Sequence, residues 1–400
     1  MPNQRPFDAI VVGARCAGSA TAMLLARRGH RVLLLDRNEF PSDLKASTHM
    51  VWHSGVASLK RWGLLDRLRA TGCPPMKKIM LDLGQFALTG FAPPAGDVDE
   101  AYAPRRFVLD NLLLDAAREA GAEFRPRCVA QGPIMDGERV RGVRYTDANG
   151  SEVTEHATIV VGADGFNSTI ARAVKPAVRE EHPRLQGMIW AYFRDLPLDG
   201  MEFYSRPGRM VYSWSTNDGQ TLAGICFRYE DYGRAAKDTE TRMPAELQGL
   251  TPLLAERVRA ARRETKWLAG ATPGVCRAPS GPGWALVGDA GLTMDPITAA
   301  GITNAFRDAE LLSTAIDEGA LDRFEERRGI ASLPLFAFSR DMAKLDPPPQ
   351  AMIDLFTSLP GNQPDTNAYF GVFAQTVPVM QFFAPDNVAR IVAAGGGTKA

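Results

Sequence analysis

Apolar and polar positions at the start of the chain follow the period of a strand, then of a helix, then of a strand. Residues 8–13 predict a short strand, and residues 17–28 carry apolar side chains at helical spacing. Gly29 ends the helical pattern, as glycine commonly does just after a helix. Residues 31–36 form a continuous apolar run, which is typical of a parallel strand buried on both faces. Together these segments predict a βαβ unit.

The rest of the chain continues this α/β pattern and then changes character. Apolar spacing predicts further helices near 56–62, 108–120 and 302–317, and strands within 79–91, 140–145, 153–154 and 158–161. Segment 185–229 is different, because it is β-rich and aromatic and contains a hairpin-turn sequence at 217–219. Its aromatic residues are Trp190, Tyr192, Phe203, Tyr204, Tyr212, Trp214 and Phe227. We therefore expect an α/β framework in separated pieces, with an aromatic β-layer inserted between them.

Composition narrows the functional classes. Lys+Arg and Asp+Glu are 46 each, which argues against a general binder of nucleic acid or of anionic membranes. The five cysteines have no paired spacing, so neither a disulfide framework nor a metal site is predicted. The sequence contains no apolar run of about 18 residues, so no transmembrane segment is predicted. The apolar start is too short for a signal peptide. We expect a soluble, cytoplasmic protein.

The first chemical motif is the turn Gly13-Ala-Arg-Cys-Ala-Gly18. The usual dinucleotide fingerprint has glycine at the first, third and sixth positions, and here Arg15 occupies the third. Gly13 can still make the tight turn, and Gly18 still lets the helix lie close to the sheet. Backbone amides near Ala17 would point at a pyrophosphate, aided by the helix dipole. Arg15 could add a cation near the phosphates or obstruct them.

An acidic residue follows this turn at a suitable distance. Asp36 ends the second predicted strand, 23 residues after Gly13. Its carboxylate can accept hydrogen bonds from both ribose hydroxyls of an adenosine. A tight strand–helix turn without a ligand is the alternative, but the acid favours nucleotide binding.

Two more strands end in glycine-flanked aspartates. One runs into Gly162-Ala-Asp164-Gly165. The other ends at Gly288-Asp289 and continues through Asp295-Pro296 to Gly301-Ile302 at the start of a predicted helix. Each alone could be a simple turn, because aspartate beside glycine is common in turns. Three such motifs in this order are hard to obtain by chance.

Together the three motifs resemble the FAD-dependent para-hydroxybenzoate-hydroxylase-like family (group A flavin monooxygenases) over residues 6–330. The resemblance implies an α/β fold in which a Rossmann-like FAD-binding domain of the glutathione-reductase type carries an inserted antiparallel β-sheet substrate domain and a C-terminal helical tail. The implied division is FAD-binding pieces at 1–76, 105–176 and 276–330, a substrate-side hairpin at 77–104, a substrate domain at 177–275, and a helical segment at 331–400. We expect residues 395–400 to be disordered.

The same resemblance implies a set of cofactor-binding residues. The amides at the start of the last predicted helix would face the pyrimidine side of the flavin, where they stabilise the negative charge of the reduced ring. The implied contacts are Gly13, Arg15, Cys16, Ala17 and Gly18 at the pyrophosphate; Asp36, Arg37 and the backbone of Val129 at the adenosine; Arg106 at the phosphates; Asp164 in FAD and NAD(P)H use; Gly288 and Asp289 at the ribityl or pyrophosphate; and Pro296, Gly301 and Ile302 at the flavin.

Two histidines are the candidate catalytic residues. The family often carries an arginine shortly before the helix that follows the second strand, and in this sequence that stretch contains His49 and His53. Either could orient a substrate or shuttle a proton, because imidazole titrates near neutral pH. The alternative is a histidine at the surface or one with a purely structural role.

The resemblance implies an FAD-dependent monooxygenase of secondary metabolism. NAD(P)H would reduce FAD, and O2 would then oxygenate a small aromatic or polycyclic substrate through a flavin hydroperoxide. A geranylgeranyl-reductase-like reductase or dehydrogenase is the main alternative, and a flavin-binding module without redox work is another. A flavin-dependent halogenase is a further one: Lys77 and Lys78 lie in a plausible region, but its Trp-x-Trp-x-Ile-Pro signature is missing. The protein would act as a monomer or homodimer.

Overall fold

The structure is a computed structural model that describes residues 6–44 and 47–396. The strands are β1 (Phe7–Val12), β2 (Val32–Leu35), β3 (Lys78–Asp82), β4 (Ala87–Phe91), β5 (Glu123–Arg125), β6 (Val129–Asp136), β7 (Arg139–Thr146), β8 (Glu152–Gly162), β9 (Val178–His182), β10 (Gln186–Arg194), β11 (Met201–Arg206), β12 (Arg209–Ser215), β13 (Gln220–Arg228), β14 (Arg262–Arg263), β15 (Leu268–Gly270), β16 (Gly274–Arg277), β17 (Ser280–Gly281), β18 (Trp284–Leu286) and β19 (Leu292–Thr293).

The helices are α1 (Cys16–Arg27), α2 (His53–Arg61), α3 (Leu65–Arg69), α4 (Arg106–Glu119), α5 (Thr169–Val174), α6 (Tyr229–Lys237), α7 (Thr239–Leu250), α8 (Pro252–Ala260), α9 (Gly301–Asp317), α10 (Leu321–Ala343), α11 (Gln350–Thr357), α12 (Gln363–Ala374), α13 (Val379–Phe382) and α14 (Pro385–Gly396). Short 3-10 turns lie at Asn217–Gly219, Gly288–Ala290 and Pro296–Thr298. Within the part of the chain that the structure describes, no helix combines the length and apolar character needed to cross a membrane.

A parallel sheet forms the first half of the molecule, with strand order β18-β8-β1-β2-β5. Every residue of β2 is buried, as the continuous apolar run predicts. Helix α1 packs its alanines, Met23 and Leu25 against the sheet and against α4 and α9. It ends before Gly29, whose φ of 87° few side chains tolerate. The predicted βαβ unit is confirmed.

A second, mostly antiparallel sheet forms the other half, with strand order β14-β10-β13-β12-β11-β3-β4. The β3–β4 hairpin joins it through a parallel pairing of β3 with β11. The predicted turn at Asn217–Gly219 connects β12 to β13, which are antiparallel, so that prediction is confirmed. One face of the sheet packs on α6, α7 and α8, and the other faces the C-terminal helices.

The chain between and after these sheets departs from the expected divisions, which stay predictions. Residue 275 lies inside β16, in a small sheet of order β19-β16-β9. Residue 330 lies inside α10, so the C-terminal helical region begins at Leu321. The predicted disorder of 395–400 is wrong for Gly395 and Gly396, because they belong to α14, which packs through the fully buried Ile391. Residues 397–400 lie outside the described chain.

Candidate active site

The first two predicted motifs are in direct contact. Gly13 has a φ of 104°, and a Cβ placed there would lie 2.4 Å from the carbonyl oxygen of Ala163. The Ala163 amide donates to the Val12 carbonyl at 2.8 Å, which fixes the second motif beside the first. At Gly18 a Cβ would lie only 1.7 Å from the Gly13 oxygen. Only glycine therefore allows α1 to start this close to the sheet.

The third motif, at Gly288, packs against the start of α1, beside the first motif. Gly288 has a φ of 57°, and a Cβ there would lie 2.9 Å from the Cβ of Ala17. The Gly288 amide donates to Oδ2 of Asp308 at 3.0 Å, and Nε of Arg328 donates to both oxygens of that carboxylate at 3.2 Å. Asp308 and Arg328 are buried and hold this turn against α1. This pair was not among the predicted site residues, although an acid within a predicted apolar helix was a visible signal.

Arg15 occupies the third position of the turn without strain, because its φ is −91° and no glycine is needed there. Its guanidinium donates to Asp110 at 2.7 Å and to Ser42 Oγ at 3.2 Å. Asp110 is fully buried and also accepts from Arg106 at 2.9 Å and from the Cys16 thiol at 3.1 Å. Burial raises the pKa of Cys16, so it stays a thiol. The unpredicted Asp110 thus gathers three of the predicted cofactor residues.

The predicted adenosine contacts lie together at the carboxyl end of β2. The buried Asp36 accepts from the Ala14 amide through Oδ2 and from the Asn38 amide through Oδ1, both at 2.7 Å. The Cys128 amide donates to the Asp36 carbonyl at 2.8 Å, which brings Val129, at the start of β6, to the same edge. Arg37 is exposed there.

The loop before α9 presents unused backbone donors. Asp295 Oδ1 accepts from the Ile297 amide at 3.0 Å and stabilises the turn Pro296–Thr298. Helix α9 begins at Gly301, and its N-cap makes no side-chain hydrogen bond. The first amides of a helix have no partner within it. The amides of Gly301 and Ile302 are therefore available to an electron-rich atom.

Two other predicted aspartates differ in what surrounds them. Asp289 is accessible to solvent, yet burial by the surrounding protein raises its pKa while the charge of Arg106 lowers it. An accessible side chain that is also desolvated lies in a recess of the surface. Asp164 accepts from the Thr169 amide at 2.6 Å through Oδ2, and its buried Oδ1 has no partner among the described residues. Its pKa is raised by burial.

Both candidate histidines are buried, so neither is a surface residue. His49 has a φ of 65°, and its Nε2 lies 2.6 Å from the Tyr192 hydroxyl. Burial lowers the pKa of His49 well below its usual value and lowers that of His53 to about 4. Both imidazoles are neutral at pH 7. The structure connects His49 to the second sheet and places His53 at the start of α2.

The inner face of the second sheet presents aromatic side chains that pack closely over Gly224. In register, Gly224 lies between Trp190 and Tyr212, and a Cβ there would lie 2.6 Å from the Tyr212 hydroxyl. Trp190 Nε1 and the Tyr212 hydroxyl are buried without partners in the described structure. Of the seven predicted aromatic residues, Tyr204 and Phe227 instead pack on the opposite face with α6–α8.

A buried hydrogen bond links this aromatic face to the loop before α9. Gln186, the first residue of β10, donates through Nε2 to Asp295 Oδ1 at 2.9 Å. Asp295 Oδ2 and Gln186 Oε1 have no partner among the described residues. Burial raises the pKa of Asp295 to about 7. The sequence placed Asp295 in a motif, but only the fold reveals its contact with the sheet.

Residues 7–320 match the FAD binding domain family. The chain belongs to this family. It is 27% identical over 320 residues to digeranylgeranylglycerophospholipid reductase of Methanosarcina mazei, covering 78% of this chain and 75% of that protein. It is 24% identical over 339 residues to 3-demethoxyubiquinol 3-hydroxylase of Escherichia coli, covering 78% and 80%. The solved structure of a myxobacterial chondrochloren halogenase superposes with a TM-score of 0.76 at 23% identity, covering 98% of this chain and 97% of that chain.

The family assignment confirms the predicted resemblance and the predicted fold class, so the protein is an FAD-dependent oxidoreductase. The observed geometry fits the cofactor. The turn at Gly13 has no room for a side chain, the start of α1 has no side-chain cap, and α9 begins with unused amides. These features suit a dinucleotide with a pyrophosphate and an electron-rich ring.

Proposed function

We propose that the protein is a monooxygenase that uses FAD, NAD(P)H and O2 to oxygenate a small aromatic or polycyclic substrate. The observation that carries this proposal is the buried aromatic face around Gly224, joined by the Gln186–Asp295 hydrogen bond to the loop before α9. FAD, when bound, supplies the redox chemistry, and the protein supplies binding, orientation and exclusion of water.

Cofactor binding follows from the converging motifs. The amides after Gly13 would bind the pyrophosphate, with Arg106 and Asp289 beside it. Asp36 would bind the adenosine ribose, because its carboxylate can accept hydrogen bonds from the ribose hydroxyls. The amides of Gly301 and Ile302 would stabilise negative charge on the pyrimidine side of the flavin.

Substrate binding would use the aromatic face. Trp190 and Tyr212 would contact an aromatic ring through their flat apolar surfaces, and their N–H and O–H groups, which have no partner among the described residues, would hydrogen-bond its polar substituents. His49 and Tyr192 hydrogen-bond each other beside this face. Because His49 is neutral, we expect it to orient the substrate through Tyr192 rather than to supply a charge.

A reductase of isoprenoid double bonds is the second candidate, favoured by the similarity to the Methanosarcina mazei reductase. An apolar aromatic face could bind an isoprenoid chain equally well. The halogenase alternative has less support from the site, because Lys77 and Lys78 form surface ion pairs with Asp99 and Asp199.

Product analysis under labelled oxygen separates the two candidates. The FAD-loaded protein is incubated with NADH or NADPH and a panel of phenols and polyketides under ¹⁸O2, and products are analysed by mass spectrometry. A monooxygenase gives substrate-stimulated NAD(P)H oxidation and a product containing one ¹⁸O atom. Reduction of a geranylgeranyl substrate without O2, together with no labelled product across the panel, would instead establish the reductase.

A further inference from the structure

A cleft lies between α2 and α9, and none of its lining residues belongs to a strand of the second sheet. It has a cavity volume of about 700 Å³ and runs between α2, the turn at residues 95–98, α9 and the residue that follows α12. Residues on its walls include Ser54, Ala57, Val98, Arg307 and Gln375. A cavity of this size suits an organic molecule rather than a bare ion.

The charged groups of the cleft do not balance. Lys60 forms an ion pair with Asp97, and Arg61 forms one with Glu310 at 2.8 Å. Arg307 is the exception: among the described residues no carboxylate lies within 4.0 Å of its guanidinium. One positive charge in the wall of the cleft therefore has no ion-pair partner.

Arg307 is held by neutral groups only. Its terminal nitrogens donate to Gln375 Oε1 and Asn304 Oδ1, both at 2.8 Å, and to Ser332 Oγ at 2.9 Å. Asp308, the next residue along the chain, is paired with Arg328. Burial lowers the pKa of Arg307, but an arginine stays protonated at neutral pH. Arg307 is half-buried and its direct partners are all neutral, so an anion in the cleft would stabilise its charge.

Unused hydrogen-bond donors surround the same charge. Arg307 Nε, Gln375 Nε2 and Ser54 Oγ are buried and have no partner in the described structure. All three residues line the cleft. Three donors and one unpaired positive charge match an acceptor group that carries negative charge, such as a carboxylate or a phosphate.

We propose that this cleft is a second binding site, which takes an organic acid with a carboxylate or phosphate head group. Arg307 would pair with the head group, Ser54 and Gln375 would donate to its oxygens, and Ala57 and Val98 would contact its apolar body. The site adjoins the proposed flavin loop, because Thr303 lines the cleft and its hydroxyl accepts from the Trp52 amide at 3.0 Å. It does not depend on which reaction the aromatic face supports.

Calorimetric titration of the FAD-loaded protein with benzoate, phenyl phosphate and benzyl alcohol tests the site. At least one of the two acids binds the wild type, and the stronger one identifies the preferred head group, whereas the neutral alcohol does not bind. Arg307→Met weakens binding of that acid at least about tenfold, the scale of a hydrogen bond to a charged group. Arg184→Met is the matched control, since the exposed Arg184 has no carboxylate partner among the described residues either and lies outside the cleft. It leaves binding unchanged.

The proposal is overturned if neither acid binds at millimolar concentration, if the alcohol binds as well as the acids, or if Arg307→Met binds the acid like the wild type. In the last case the acid occupies another site, and a change in the flavin absorbance spectrum on titration identifies the aromatic face. If Arg307→Met does not fold, Ser54→Ala replaces it, because that variant only deletes a hydroxyl without a partner. It weakens acid binding about threefold, and unchanged binding overturns the proposal.

Discussion

The two halves of the candidate active site are specified in different ways. On the cofactor side the geometry is set by backbone, because glycines at 13, 18 and 288 let three distant segments touch. On the substrate side it is set by side chains from neighbouring strands, as at Trp190 and Tyr212 around Gly224. Substitutions on the cofactor side should therefore disturb the whole fold and FAD binding. Substitutions on the substrate side should alter activity while FAD stays bound.

The largest effect is expected from breaking the buried pair behind Gly288. Asp308→Ala leaves Arg328 as an unpaired buried charge and removes the acceptor of the Gly288 amide. The free energy of unfolding should fall by about 3–5 kcal/mol, measured by urea denaturation. Glu119→Ala, which breaks the exposed Arg67–Glu119 pair, should cost less than about 1 kcal/mol. Equal losses in both variants would contradict this role of Asp308.

The next effect concerns the contact between the turn and α1. Gly18→Ala puts a methyl group 1.7 Å from the Gly13 oxygen, so the turn must open. We expect a loss of about 3 kcal/mol in stability and a preparation that retains little FAD, measured by absorbance of the purified protein. Gly249→Ala, at a helix position with open space, should be neutral or slightly stabilising. Normal flavin content in Gly18→Ala would refute the backbone argument.

Asp295, which connects the loop before α9 to the second sheet through Gln186, should give a pH-dependent signature. Its pKa rises from 3.8 in the unfolded chain to about 7 in the fold. The folded state therefore holds an extra proton between these values, and wild-type stability falls as the pH rises through that window. Asp295→Asn removes this contribution, so the variant should gain about 2 kcal/mol relative to wild type between about pH 5 and about pH 8. Urea denaturation at both pH values checks this, and a constant difference would contradict it.

The smallest effect is expected at His49. His49→Asn tolerates the left-handed backbone but loses the hydrogen bond to Tyr192. Turnover should fall about tenfold, or ~1.4 kcal/mol in barrier, with FAD content unchanged. Because His49 is neutral, the pH profile near neutrality should keep its shape. His156→Asn, at an exposed position on β8, should leave turnover unchanged. A loss of FAD in His49→Asn would instead show that His49 supports cofactor binding.

The same contrast explains what could be predicted from the sequence. The βαβ unit, the hairpin turn and the three glycine motifs depend on local spacing, and the structure contains them where the spacing predicts. Gln186 and Asp295 are 109 residues apart, and no local pattern relates two such positions. One property of the aromatic layer could be predicted from the sequence. Phe203 and Tyr204 are neighbours in a strand, so they must point to opposite faces.

Helix α10 connects the C-terminal region to the rest of the enzyme. Near its start Arg328 supports the turn at Gly288, and near its end the Ser339 hydroxyl meets that of Thr298 at 2.7 Å. Helix α10, which contains Pro334, thus braces the turn at Gly288 through Asp308 and the loop before α9 through Thr298. A chain shortened at residue 330 would sever that brace and strip the cover formed by Tyr369 and Phe382 from the second sheet. Residues 331–396 are therefore an integral wall of the enzyme rather than an appendage.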